Sequence, residues 1–430
     1  MTASYAADEA LLAELRAVWP PGPSPLRAES DRGYVAQDLA SHPPSAAIRL
    51  SDRFAVALAT DGDGWRSVPL AGFGGRWWQA APGDGLSAFV AGVPAASERA
   101  AGVDQTNHTV VVGERVGVKW FRRIGPEPSR AATLLAHLDA SGFAEIPRPL
   151  GAVSWRTADG RELALAHGDA WLAGARDGWE WVVERLERHL AHASGGCPGG
   201  GCDAWIGADL GRLVARLHAA LRTPSAVLPE PLAPAGRSEI ASWRATAAAL
   251  LEEAIERTPP DDGNPGVAEL AGAIRAHLGR LSSDHRIELQ PVHGDLHVGQ
   301  ILEWSGGLAV IDFDGNPALG AAVNAIRQPA ERDIAQVASS LDHVGRVVAH
   351  GTGGDGDAAA VIEAWIARTR RDLLGVLDAD PDLLAAFEAE QELRELVYAA
   401  RFLPRWRYAP LATLRARYGP PVADVPRSTR

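Results

Sequence analysis

The chain has 430 residues, of which 46% are hydrophobic and 22% are charged. These proportions are typical of a globular protein with a sizeable core, and the length suits two or three domains. The formal net charge of −12 argues against a binder of nucleic acid or anionic membrane, because both need a basic surface. No apolar run reaches the roughly 18 residues of a membrane span. Only two cysteines are present, which excludes a disulfide framework, and the first residues lack the basic segment of a secretory signal. We expect a cytoplasmic protein.

The predicted elements fall into three regions along the chain. Residues 1–95 read as a β-rich module that begins with a short helix. Residues 96–170 carry two hairpins on either side of a helix, which is typical of a small antiparallel lobe. Residues 171–430 are mostly helical, interrupted by β structure over 287–313, and the final helical stretch is broken near 350–355 and 404. The sequence therefore predicts an α+β fold with a cap module and two lobes.

The densest polar cluster lies before the predicted hairpin of the third region. His293, Asp295, His297 and Gln300 precede this ribbon, and Asp312 follows it. If the ribbon forms, it brings Asp295, Gln300 and Asp312 close together. One carboxylate can then take a proton from a hydroxyl, while an amide oxygen and the second carboxylate hold Mg²⁺ against phosphates. This arrangement predicts phosphoryl transfer.

Two other interpretations of the cluster stay open at this point. His293, Asp295 and His297 alternate, so on a strand they would share a face and could bind a transition metal. The acidic residues could also form a structural turn. For His293 itself we expect a hydrogen bond that braces the loop. Cys197 and Cys202 lie in a Gly-rich loop, and we expect them to be reduced thiols without a catalytic role.

Lys119 is the one lysine among the 42 Lys and Arg residues. Lysine presents a compact point charge, whereas arginine presents a wide planar fork, so a narrow site would retain lysine. The residue lies on the second strand of a predicted hairpin. A polar turn before the first strand can cap nucleotide phosphates with its backbone N–H groups, and its members are Gln105, Thr106 and Asn107. We expect Lys119 to reach the same phosphates.

The segments 293–300 and 311–314 resemble the catalytic and metal loops of the aminoglycoside-phosphotransferase-like kinases. The chain is most similar to the actinobacterial maltokinase and glucosamine kinase branch, which shares the glutamine at position 300 and the lysine strand 118–123. The resemblance implies a bilobal protein-kinase-like fold, with an antiparallel β N-lobe, a mostly helical C-lobe and an N-terminal cap. It implies that Asp295 is the catalytic base, that Gln300 and Asp312 hold Mg²⁺, and that Lys119 meets the α- and β-phosphates of ATP.

The resemblance also implies a hinge that contacts adenine through backbone groups: His167, Gly168, Asp169 and Ala170. The chain departs from the family's pattern in one respect here. The helix after Lys119 has no glutamate where these kinases pair one with the lysine, and Glu127 is a candidate substitute.

The acceptor implied by this branch is glucosamine, converted by ATP to glucosamine 6-phosphate. Asp314 would pair with the cationic amine, while Asp295 and His297 would meet hydroxyls. Arg405 and Trp406 belong to a C-terminal aromatic and basic cluster. Trp406 either stacks on the sugar ring or packs in the core.

Other functions remain as alternatives at this point. Maltokinases of the branch read Asp-Phe-Glu-Gly-Glu-Pro where this chain reads Asp-Phe-Asp-Gly-Asn-Pro over 312–317, which disfavours a maltokinase making maltose 1-phosphate. An aminoglycoside phosphotransferase and a nucleotide-binding pseudokinase are the further alternatives. We expect a small sugar or amino sugar as partner, and neither nucleic acid nor membrane. We also expect Asp333 to brace the catalytic loop, and the sequence indicates no oligomeric state.

Overall fold

The computed structural model describes residues 1–23, 42–62, 64–94, 96–102, 108–125, 129–193, 203–260, 266–281, 286–316, 326–353 and 356–419. The chain divides into two compact units, Met1–Ala175 and Arg176–Arg430. The division into a cap and two lobes at residues 95 and 170 stays a prediction.

One six-stranded sheet of the first unit contains the predicted lysine strand. Its strand order is β1-β11-β12-β9-β8-β7, in which β1 runs parallel to β11 and the other pairs are antiparallel. The strands are β1 (Ala3–Tyr5), β7 (Glu98–Ala100), β8 (His108–Val112), β9 (Val116–Trp120), β11 (Pro149–Arg156) and β12 (Glu162–Ala170). Both hairpins predicted for this region are present, because β-branched and aromatic residues alternate on either side of short turns.

A second sheet packs against the first within this unit. Its order is β2-β6-β5-β4-β3, and β10 pairs with β5. These strands are β2 (Gly22–Pro23), β3 (Ala46–Arg49), β4 (Phe54–Asp61), β5 (Gly64–Phe73), β6 (Arg76–Gln79) and β10 (Arg123–Ile124). Val56 and Leu58 of β4 share one buried cluster with Val118 and Trp120 of β9. Burial of such side chains contributes about 1.5–3 kcal/mol each, so the two sheets form one core.

Among its described residues, the first unit also contains the helices α1 (Glu9–Val18), α2 (Leu86–Val90) and α3 (Arg130–Ala140). Asp8 caps α1, because its carboxylate accepts a hydrogen bond from the backbone N–H of Leu11 at 2.8 Å.

Helices dominate the second unit. They are α4 (Gly178–Ala193), α5 (Gly207–Leu221), α6 (Arg237–Arg257), α7 (Ala271–Leu278), α8 (Glu331–Gly351), α9 (Gly356–Leu374), α10 (Pro381–Phe402) and α11 (Tyr408–Tyr418). The short strands are β13 (Ala233–Pro234), β14 (Glu288–Pro291), β15 (Ile301–Trp304), β16 (Gly307–Val310) and β17 (Arg327–Gln328). The predicted α+β class, with an antiparallel first part and a mostly helical second part, is confirmed.

Two boundaries differ from the sequence-based expectation. The last strand of the predicted ribbon ends at Val310 rather than at Phe313, because Asp312 adopts a left-handed backbone conformation with φ of 64°. The C-terminal helical stretch also breaks after Leu374, where Asp380 caps the next helix. Within the described residues, no helix combines the length and apolar character that a membrane span requires.

Candidate active site

The loop between β14 and β15 carries the predicted catalytic residues. Leu296 and Val298 are fully buried, whereas Asp295 and His297 between them are half-buried. This alternation fixes the loop to the core by its apolar side chains and presents the polar ones on the opposite side. A single turn of 3-10 helix, Val298–Gln300, then leads into β15.

Asp333 in the first turn of α8 holds the beginning of this loop. Its two carboxylate oxygens accept the backbone N–H groups of His293 and Gly294, each at 2.8 Å. His218 Nε2 also lies 3.1 Å from the carboxylate. Burial alone would raise the pKa of Asp333, but the hydrogen bond and positive charge of His218 and the donated N–H groups outweigh it, so the pKa lies below its usual value. The predicted bracing role of Asp333 is confirmed.

Two further side chains of α8 continue the same contact. Gln336 accepts the backbone N–H of Leu296 at 2.8 Å and donates its amide to the Gly294 carbonyl at 3.2 Å. Ser340 Oγ accepts the N–H of Val298 at 3.0 Å. The helix positions are three and four residues apart, so they lie on one face of α8. This face therefore satisfies the buried backbone of the loop along its length.

His293 braces the loop to the segment after β16. Its Nε2 lies 2.8 Å from the Ile311 carbonyl oxygen, and its Nδ1 accepts the N–H of Asp295 at 3.3 Å. The Phe313 ring packs against it with 4.7 Å between ring centroids. Because both ring nitrogens are engaged, His293 is no metal ligand, so the alternative of a transition-metal site at 293–297 is wrong. The predicted bracing hydrogen bond is confirmed.

The predicted two-stranded ribbon forms and brings Gln300 and Asp312 to its open end. Ile301 pairs with Val310, and the N–H of Ile311 donates to the Gln300 carbonyl at 3.0 Å. Asp312 is exposed at this end. The Gln300 amide nitrogen lies 3.4 Å from His297 Nε2, so the amide oxygen of Gln300 points away from this histidine.

A carboxylate and an amide oxygen are the hard donors that suit Mg²⁺, which commonly takes few protein ligands and completes its shell with phosphates and water. No group of three or more His, Cys, Asp or Glu side chains in the described part of the chain is arranged to hold a metal ion by itself. The residues at this end of the ribbon fit a magnesium ion that arrives with a nucleotide.

Asp295 lies in an environment that suits a base. Asn316 Nδ2 donates to its Oδ1 at 3.1 Å. Burial raises the pKa of Asp295, and the negative charge of Asp312 raises it further, whereas His297, His293 and the Asn316 hydrogen bond oppose the rise. The net pKa lies above that of an ordinary aspartate, which brings it closer to the range in which a proton is both taken and released.

Sequence reasoning missed a second carboxylate near the loop, Glu395 on α10. Burial raises its pKa, His343 and His297 oppose the rise, and the negative charges of Glu392 and then Asp295 add to it. Gln391 donates its amide to Glu395 Oε1 at 2.8 Å, one helical turn earlier. The charges of Asp295 and His297 therefore both affect the ionisation of Glu395. About a hundred positions separate Glu395 from the loop, and the sequence offers only an acidic run on an otherwise buried helix as a signal.

A second buried pair supports this side of the site. His343 Nε2 lies 2.9 Å from Glu392 Oε2, and both residues are buried. Burial lowers the pKa of His343, but the charge and hydrogen bond of Glu392 outweigh it, so the pKa lies above the usual value. The pair joins α8 to α10 about one helical turn before Glu395.

Aromatic side chains extend from the catalytic loop toward the C-terminal segment. A Cβ built on Gly299 would lie 2.8 Å from both Trp179 Cδ1 and the His297 ring, so Trp179 lies directly over the loop. The Trp179 and Trp406 rings meet edge to face with 6.3 Å between centroids, and Tyr408 lies nearly parallel to Trp406. Trp406 is 42% exposed, so its alternative reading as a core residue is wrong.

The two other predicted acceptor residues lie on the same unit. Arg405 is exposed in the 3-10 turn Pro404–Trp406, and Asp314 is half-buried in the turn after Asp312. The contacts described above join neither of them to Asp295.

The first unit carries the predicted nucleotide residues. Lys119 on β9 lies directly opposite Thr109 on β8 and His167 on β12, so the three side chains share one face of the sheet. His167 Nε2 lies 3.1 Å from Asp169 Oδ2. Gly168 and Ala170 belong to the same strand, β12. The expected backbone contact of 167–170 with adenine is wrong, because this backbone already pairs with β9 and β11 on the two edges of β12. Several predicted residues lie outside the described residues: Gln105, Thr106, Asn107, Glu127, Cys197 and Cys202.

Comparison with known proteins decides the family. The chain is 38% identical over 421 residues to a glucosamine kinase of Streptacidiphilus jiangxiensis, which covers 90% of each chain. The chain belongs to the glucosamine kinase family. A relative from Mycolicibacterium smegmatis, also a glucosamine kinase, is 35% identical over 378 residues, covering 80% of this chain and 90% of the relative. No family model matches the chain.

Solved structures of glucosamine kinases agree with this assignment. One of them, in complex with glucosamine, ADP and inorganic phosphate, is 32% identical and superposes with a TM-score of 0.74 over 94% of this chain and 98% of that one. A second crystal form gives a TM-score of 0.76 at 32% identity over the same shares. The predicted family and enzyme class, a sugar kinase of the glucosamine kinase branch, are confirmed.

Proposed function

We propose that this protein transfers the γ-phosphoryl group of ATP to the O6 hydroxyl of glucosamine, giving glucosamine 6-phosphate and ADP. Membership of the glucosamine kinase family supports the reaction. A half-buried Asp295 near Gln300 and Asp312, the expected magnesium ligands, supports it as well. The new bond joins O6 to the γ-phosphorus, the bond from that phosphorus to the bridging oxygen of ADP breaks, and Asp295 takes the O6 proton.

We assign to the other groups the roles that the family resemblance implies. Gln300 and Asp312 hold Mg²⁺ through oxygen atoms, and the ion would offset the charge of the phosphates. Lys119 meets the α- and β-phosphates as a point charge. Catalysis of this kind is mostly positioning and electrostatic stabilisation, which is why the rigid support of the loop by α8 matters.

A cationic amine is the acceptor feature that the electrostatics favour most clearly. Burial raises the pKa of Glu395, and the negative charge of Asp295 is among the further causes that raise it. An ammonium group beside the Glu395 carboxylate offsets this charge and gains charge-assisted hydrogen bonds, while Asp295 stays at O6 on the other side of the ring. The buried Glu395 carboxylate, whose pKa also responds to His297, is the single observation that carries the amino-sugar assignment. Asp314 stays a second candidate for the amine, and it lies near the metal pair.

The sugar ring itself has an aromatic surface available beside the loop. Trp179 covers Gly299, and the exposed Trp406 continues from it. An indole face packs well against the C–H groups of a pyranose. Arg405 lies at the outer edge of this surface, where it meets hydroxyls of the acceptor.

An ADP-release assay with ATP and Mg²⁺ tests the proposal on glucosamine, glucose, N-acetylglucosamine, maltose and kanamycin. We expect turnover with glucosamine, much weaker turnover with glucose and N-acetylglucosamine, which lack the cationic amine, and none with maltose or kanamycin. Preferred turnover of maltose or kanamycin would replace the proposed acceptor. The absence of ADP release with all five compounds would refute the sugar kinase proposal itself.

A substitution separates the amine contact from general damage. Glu395→Gln removes one charge at constant shape, so the KM for glucosamine should rise about tenfold to a hundredfold, the worth of a hydrogen bond to a charged group. The KM for glucose should change little. Glu269→Gln, at an exposed position, is the matched control. Equal effects of Glu395→Gln on both sugars would contradict the assignment of Glu395 to the amine.

A further inference from the structure

His167 on β12 is a buried histidine that is only half satisfied. The residue is 7% exposed. Its Nε2 lies 3.1 Å from Asp169 Oδ2, and its Nδ1 is buried without a hydrogen-bond partner among the described residues. A buried polar atom of this kind is costly to a protein unless a ligand or water uses it. We therefore look for a ligand that could form a hydrogen bond with Nδ1.

The neighbouring carboxylate decides what Nδ1 can do. A neutral imidazole carries its proton on one nitrogen and a lone pair on the other. The Asp169 carboxylate only accepts hydrogen bonds, so it holds the proton of His167 on Nε2. Nδ1 then presents a lone pair, and a ligand that meets it must offer an N–H or O–H donor.

The sheet register shows which face of the strand carries this acceptor. His167 lies directly opposite Lys119 on β9, so both side chains lie on the same face. The Phe121 ring packs edge-on against the His167 ring with 5.3 Å between centroids. Since Lys119 is assigned to the nucleotide phosphates, the nucleotide lies against this face, and His167 is one of the two polar side chains directly opposite Lys119, the other being Thr109.

We propose that His167 Nδ1 accepts a hydrogen bond from the exocyclic 6-amino group of the nucleobase, and that this contact selects adenine nucleotides. The proposal rests on the proposed function, because it takes ATP as the phosphoryl donor. Hypoxanthine and guanine carry a carbonyl oxygen at position 6, so with these bases two acceptors face each other in a buried site. Asp169 acts as the positioning residue, because it fixes the tautomer that makes Nδ1 an acceptor.

Calorimetry with the full-length protein and three nucleotides tests this without any acceptor sugar. ADP carries the 6-amino group, purine riboside diphosphate has hydrogen at that position, and inosine diphosphate has oxygen. For the wild type we expect affinity to fall about tenfold from ADP to purine riboside diphosphate, the loss of one buried hydrogen bond, and further for inosine diphosphate.

Substitutions locate the source of that preference. In His167→Leu the three nucleotides should bind within about twofold of one another, because the acceptor is gone. In Asp169→Asn the proton is no longer forced onto Nε2, so the ratio of ADP to inosine diphosphate affinity should narrow. His192→Leu, at an exposed histidine of the second unit, should keep the wild-type ratios.

The outcomes are distinguishable from failure of the kinase proposal. A wild-type protein that binds no nucleotide would refute the proposed function. A wild type that binds ADP and inosine diphosphate equally would overturn only the role of His167. Retention of the wild-type ratio in His167→Leu, or equal weakening of all three nucleotides, would likewise overturn it, since Nδ1 would then not contact position 6.

Discussion

Two neighbouring serines on α8 offer a controlled test of how the catalytic loop is held. Ser340 Oγ accepts the N–H of Val298 at 3.0 Å and donates to the Val337 carbonyl at 2.8 Å. Ser339, one position earlier, is equally buried, but its hydroxyl has no partner among the described residues. Serine-to-alanine substitution at the two positions thus removes the same atom from the same helix, with and without a contact to the loop.

The two substitutions should change the stability of the protein by clearly different amounts. Ser340→Ala leaves the Val298 N–H buried without an acceptor, which costs about 1–3 kcal/mol. Ser339→Ala removes an unpaired hydroxyl, so its effect should lie between zero and about 1 kcal/mol of stabilisation. The difference is a large part of a typical total stability of about 5–15 kcal/mol. Because a displacement of about 1 Å can cost a hundredfold in rate, Ser340→Ala should also lower kcat.

Hydrogen exchange at the Val298 amide is the most direct assay, because the two units need not unfold together and a single global free energy is then poorly defined. In Ser340→Ala we expect the protection of this amide to fall about tenfold or more, together with the midpoint of urea unfolding. In Ser339→Ala, the protection of the Val298 amide and the midpoint of urea unfolding should both stay at the wild-type values. Equal protection in the two variants, or a larger loss in Ser339→Ala, would refute the claim that this face of α8 holds the loop.

Three further predictions concern the site. Gly178→Ala would place a Cβ 1.6 Å from the carbonyl oxygen of Val298 in the catalytic loop, so the melting temperature and kcat should both fall. The control Gly272→Ala has open space around it and should be neutral or stabilising by up to about 1 kcal/mol. Equal melting temperatures of the two variants would contradict the close packing of Gly178 against the loop. Asn316→Leu removes a hydrogen bond that lowers the pKa of Asp295, so the acidic limb of the kcat profile should move to higher pH, whereas an unchanged limb would count against Asp295 as the base. Lys119→Arg should lose most activity in a steady-state assay despite its unchanged charge, and full activity would mean that the single lysine is incidental.

Local sequence patterns were sufficient to predict the ribbon and the loop before it. Alternating apolar and polar residues, a Ser-Gly-Gly turn and the closely spaced polar residues all lie within about 25 positions of Asp295. The hairpin register then brings Gln300 and Asp312 to the same end of the ribbon through backbone pairing. The left-handed conformation of Asp312 was not predictable, because aspartate carries no strong signal for it.

Contacts between distant segments account for most of what the sequence did not show. Asp333 was expected to brace the loop, but Gln336 and Ser340 were not, since their partners lie about 40 positions earlier and only tertiary packing aligns α8 with the loop. Glu395 lies further along the chain still, on a helix whose charged residues resemble a solvated face in sequence. The half-satisfied His167 likewise requires the strand register and the burial of its ring, which composition alone does not reveal.

The central claim is that Asp295 acts as the base in phosphoryl transfer from ATP to glucosamine. The measurement that tests it most directly compares wild type and Asp295→Asn in a single-turnover assay with glucosamine, ATP and Mg²⁺, alongside calorimetry of ADP binding. We expect the transfer rate to fall by about a hundredfold to ten-thousandfold, the usual contribution of a general base, while ADP affinity stays within about twofold. Transfer by Asp295→Asn at a rate close to wild type, with ADP binding intact, would contradict the claim.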